Sequence, residues 1–175
     1  MITGTPMTRQ EFIKKWLYYG LLLLLVAFLQ RRLFGRLQLF GVMPLLLPPA
    51  VMSLASLEGA AGGAAFGIAA GALSTYLDGS SAWAVLLLCL CGLLTGLLAQ
   101  HVLSRSFFGY VLCCLGAMVL REGWMLLTYW YRDAVLPLTL LRVAVPELLC
   151  TMLVCPLVYV MFRFLYYRWG AGYYE

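Results

Sequence analysis

The fold is decided by residues 59–103, which read GAAGGAAFGIAAGALSTYL (59–77), DGSS (78–81) and AWAVLLLCLCGLLTGLLAQHVL (82–103). A helix that crosses the hydrocarbon of a bilayer needs about 20 mostly apolar residues, and both long runs have that length. The Asp78-Gly79-Ser80-Ser81 link between them is turn chemistry. In the first run Gly63, Gly67 and Gly71 recur every four residues, so they share one face of a helix. In the second, Gly92 and Gly96 have the same spacing. Small residues on one stripe let helices approach closely, which is how helices associate in lipid. The 59–77 segment is therefore expected at the buried centre of a membrane bundle, with its neighbours antiparallel to it.

Four further segments flank this pair. The first, 16–33, is short and ends in Gln30-Arg31-Arg32, with the arginines reaching towards the headgroups. The second, 37–57, carries Pro44, Pro48 and Pro49, each expected to kink it, or to start the helix in earnest only near Pro44. The fifth, 107–131, ends in Tyr129-Trp130-Tyr131, an aromatic group suited to the interface. The sixth, 146–166, is expected to begin at Pro146, with Glu147 in its first turn and a kink at Pro156. Residues 1–175 thus form one polytopic domain, an all-α integral membrane bundle of six helices. No alternating pattern suggests a β-barrel.

Composition agrees. The chain is 64% hydrophobic and 11% charged, with mean hydropathy +0.93. Ordinary globular domains are about 45–50% apolar and about 25% charged, so the excess must face lipid. The net charge of +5 is not a nucleic-acid signature. The basic residues lie beside apolar runs, where they hold helix ends against anionic headgroups. Cys89, Cys91, Cys113, Cys114, Cys150 and Cys155 all lie inside apolar segments and read as small packing residues rather than disulfides or metal ligands. The first apolar run is followed by Gln30-Arg31-Arg32 and not by a small-residue cleavage site, so it reads as a retained helix. An even helix count puts both termini on one side. Six basic residues there against five on the other do not orient the chain, and the basic N-terminus places both ends in the cytoplasm.

Chemistry is sparse. The seven acidic residues form no paired-carboxylate or metal-binding motif. His101 sits near a helix end beside Gln100 and reads as interfacial. No nucleophile elbow or phosphate loop appears. No catalytic, cofactor or metal residue is assigned, and the chain reads as non-enzymatic. The polar feature that stands out is Arg121-Glu122, midway along the fifth helix. Charges at that depth are expensive and face the bundle or a watery cavity. Adjacent helical positions point about 100° apart, so the two are expected to find different partners, with Thr75, Asp78 or Glu147 serving Arg121. They read either as a partner or ligand contact, or as an internal pair that fixes helix register.

The order of landmarks resembles the MreD family, the small membrane subunits of the bacterial rod-shape machinery. Leu29-Gln30 closes the first helix, and Pro44-Leu45-Leu46-Leu47 opens an aliphatic segment. Gly67-x-x-x-Gly71 is followed by Thr75 and Asp78-Gly79, where the family pattern has an aspartate four residues after the second glycine. A late proline segment, Leu153 to Tyr159 with Pro156, precedes Arg163. The likeness spans nearly the whole chain, with two departures: Thr75 in place of the aspartate, and a later glycine of the pattern falling near Trp83. It implies a scaffold in the bacterial cytoplasmic membrane that joins an MreC-like protein and MreB filaments to the peptidoglycan polymerase and transpeptidase. It also implies a fold similar to the substrate-binding (S-component) subunits of energy-coupling-factor vitamin transporters. Such a transporter subunit is the alternative function.

Overall fold

In lipid, backbone polar groups must find partners within their own segment, and an apolar chain meets that demand by becoming helical. A computed structural model describes residues 9–34, 45–79, 82–101, 107–133 and 137–169. It contains α1 (Arg9–Leu29), which runs into a π-helical turn (Gln30–Phe34), then α2 (Leu47–Glu58), α3 (Ala60–Asp78), α4 (Ala82–His101), α5 (Phe107–Asp133) and α6 (Pro137–Trp169). No strand occurs among the described residues. Five helices, all but α2, are long and apolar enough to cross a membrane. The protein is an all-α membrane bundle.

The short helix lies at the middle, a correction to the expectation that the 59–77 segment is the buried centre. Every residue of α2 from Leu47 to Leu57 is buried, and α2 touches α1, α3, α4, α5 and α6. Its 12 residues span about 18 Å at 1.5 Å per residue, well short of the roughly 30 Å hydrocarbon layer. At one end of the bundle, α2 begins beside the end of α1, where the Gln30 side chain meets Leu46 and Leu47. It finishes at the other end, where Glu58 meets Lys15 near the start of α1. Gly59, at φ 90°, then turns the chain directly into α3, a conformation that favours glycine. Gly79, at φ 65°, closes α3 by donating its N–H to the Thr75 carbonyl.

α3 and α4 pack antiparallel along their whole lengths, the most extensive contact in the bundle. α6 runs opposite to α1, because Thr151, about midway along it, meets Leu45 at the α2 entrance beside the end of α1. Further along α6, Phe162 stacks on Tyr19, with ring centroids 6.4 Å apart. The outermost described residues of α1 and α6 therefore lie at the same end. An aromatic core joins the helices: Phe66 meets Phe162 edge-on at 5.9 Å, and Tyr110 stacks on Tyr159 at 4.7 Å. Outward faces carry exposed Leu17, Leu21, Leu24, Leu90, Leu112 and Leu153, as lipid-facing surfaces do.

Several boundaries differ from the sequence reading. Pro48 and Pro49 do not kink a helix. They occupy its first turn, where proline has no N–H to leave unpaired. Pro44 and residues 37–43 of the expected second span lie outside the described residues. α6 does not begin at Pro146 but at Pro137, with both Pro146 and Pro156 inside it. Continuing the helix through a proline strands fewer backbone groups in lipid than breaking it would. The part of α6 apolar enough to cross the membrane nonetheless starts at Ala144. α1 starts well before the expected residue 16.

Candidate functional site

Three polar clusters tie different helices together, and the first holds the entrance of α2. A helix start presents unpaired N–H groups, and in a bilayer water cannot serve them. Gln30 Oε1 accepts from the N–H of Leu46 at 3.0 Å and of Leu47 at 3.2 Å. Thr151 Oγ1 accepts from the N–H of Leu45 at 3.2 Å and donates to the Glu147 carbonyl at 2.8 Å. Positions 48 and 49 are prolines and have no N–H. At Ala50 the regular helical bond, to the Leu46 carbonyl at 3.1 Å, takes over. Every donor from Leu45 to Ala50 is thereby satisfied.

The second cluster lies at the exit of α2. Lys15 Nζ sits 2.7 Å from Glu58 Oε2, and Tyr19 Oη donates to Glu58 Oε1 at 2.7 Å. The Lys15 and Glu58 side chains are 5% and 6% exposed, so this is a buried ion pair. Both carboxylate oxygens are engaged, which a buried charge requires. Sequence reasoning missed this pair. Lys15 read as a headgroup anchor, whereas it turns inward. The available signal was Glu58, a lone acid at the junction of two apolar segments.

The third cluster joins α5 to α6. Arg121 NH1 lies 3.0 Å from Glu122 Oε1 and 3.4 Å from Glu147 Oε1. Glu147 is thus among its partners, as one of the candidates named. The expectation that Arg121 and Glu122 seek different partners is corrected, because the long guanidinium stem reaches back across the 100° between them to bridge both carboxylates. Thr75 does not serve Arg121; its hydroxyl donates to the Gly71 carbonyl in its own helix. Asp78 ends α3, and its side chain lies outside what is described. Arg121 is 35% exposed, against 11% for Glu122 and 18% for Glu147.

The glycine stripes meet each other. A Cβ added at Gly63 would come within 2.5 Å of the Gly92 carbonyl oxygen. One at Gly67 would reach the Leu88 carbonyl oxygen at 2.6 Å, and one at Gly71 the Val85 Cα at 2.5 Å. Gly96 presses on Ala60 and Gly59. The neighbours are backbone atoms, so α3 and α4 approach where only glycine fits. Pro156 stands next to Cys155, whose carbonyl accepts from Tyr110 Oη at 3.1 Å. His101 is exposed at the end of α4.

Among the described residues, no buried side-chain nitrogen or oxygen lacks a hydrogen-bond partner. No cluster of three His, Cys, Asp or Glu residues there is placed to hold a metal ion. The polar interior bonds to itself, and what it can do is fix helices in register. No protein-family model, no curated protein and no solved structure matches this chain.

Proposed function

We propose that this chain is a non-enzymatic membrane scaffold subunit of the MreD type. It sits in the bacterial cytoplasmic membrane with both termini in the cytoplasm, and it links an MreC-like protein and MreB filaments to the peptidoglycan polymerase and transpeptidase. The observation that carries the reading is where the landmarks of the resemblance fall. Gln30 holds the entrance of α2 at Leu46 and Leu47. Gly67 and Gly71 are close-approach points between α3 and α4, and Pro156 lies within α6. Gln30, Gly67 and Gly71 thus sit where helices meet. A scaffold needs a firm interior and broad apolar flanks for neighbouring membrane helices, and both features are present.

Co-purification of a tagged chain from native membranes tests this. Recovery of an MreC-like protein with cell-wall synthase subunits is the expected result. Recovery of a transmembrane coupling subunit with two ATPases would replace the reading with vitamin or metal-ion uptake.

A further inference from the structure

Two cysteines of different helices meet in the core. Cys114 of α5 and Cys155 of α6 are both 0% exposed, and their sulfurs lie 3.0 Å apart as free thiols. Cys113, the preceding residue of α5, is instead directed to Thr95 of α4. A disulfide has an S–S bond of about 2.05 Å, so closing this pair requires roughly 1 Å of approach. Nothing bulky separates the two sulfurs, because they already touch.

We propose that Cys114 and Cys155 are an oxidisable dithiol, a modification site whose disulfide ties α5 to α6 inside the membrane. The site is dry, so water-soluble oxidants are excluded and the co-reactant must dissolve in the bilayer. A lipid-soluble quinone meets that demand. Two S–H bonds break and one S–S bond forms. The two electrons and two protons pass to the quinone oxygens and leave as hydroquinone. Neither cysteine is exposed, so the quinone meets the sulfurs only when α5 and α6 part transiently, and oxidation is slow. Burial shields the product from soluble thiols in the same way, so the bridge persists once made. It lies one residue before Pro156, where α6 lacks a backbone donor, and it braces the helix there.

The test uses the full chain in lipid nanodiscs, incubated with decylubiquinone, then denatured and alkylated for intact-mass counting of thiols. The wild type is expected to lose two of its six thiols, with a cross-linked peptide joining residues 114 and 155. Cys114→Ser is expected to keep its remaining thiols free, whereas Cys113→Ser still loses two. Retention of all six thiols, or a cross-link through any other pair, overturns the proposal. Peptide mapping of the wild type decides the matter even if a variant fails to fold. None of these outcomes bears on the scaffold reading.

Discussion

At the scale of single residues, the buried Lys15–Glu58 pair and the Gln30 cap are where substitutions act most sharply. Lys15→Met leaves the Glu58 carboxylate uncompensated in the core, and breaking a buried pair this way costs about 3–5 kcal/mol. Thermal unfolding in detergent should show a large loss of stability; a wild-type melting profile would mean that the pair is not formed. Gln30→Leu strands the N–H groups of Leu46 and Leu47, at about 1–3 kcal/mol each. Gln30→Glu keeps an acceptor and should retain more of the folded yield, and equal loss in both variants would argue against the cap. Arg121 was legible, because a charge midway along an apolar run stands out. Lys15 was not, because its partner is 43 residues away and only the fold brings the two together.

At the scale of helices, the α3–α4 seam separates glycines that matter from glycines that do not. Even Gly67→Ala introduces a Cβ 2.6 Å from a backbone oxygen, and Gly67→Leu introduces far more. Both should lower the level of folded protein in membranes, Leu the more severely. Gly116 on α5 has nothing within 4 Å of its notional Cβ, so Gly116→Leu should accumulate as wild type does. Equal loss at both positions would mean that added side-chain bulk anywhere on these helices, rather than close packing at this seam, is being measured, because both substitutions favour the helix itself. Glycine spacing marks a stripe of close approach but not what it meets: the stripe faces α4, and the buried centre expected of it belongs to α2. The short α2 was harder. Its prolines carry the same sequence signal whether they kink a long helix or start a short one. The decision rests with Gln30 and Thr151, which are remote in sequence.

For the whole molecule, the antiparallel run of α1 and α6 places the outermost described residues of both at one end of the bundle. Tags added at the two termini should therefore be equally accessible from one side of sealed vesicles, and labelling from opposite sides would contradict the topology. Six helices with short links were readable from the apolar runs alone. The wrapping of five helices around a half-length sixth was not, because hydropathy measures affinity for an apolar environment and cannot tell lipid from protein interior.

On the proposed scaffold reading, the buried polar groups serve the fold and partners dock on the outer faces. The most direct measurement is partner capture by the double variant Lys15→Met with Glu58→Met. Replacing both members of a buried pair by apolar residues of similar size is often neutral for stability. The double variant is therefore expected to accumulate and to co-purify the same membrane partners as the wild type. A double variant that folds with an unchanged melting profile but captures no partner would contradict docking on the outer faces and place function at the buried pair itself.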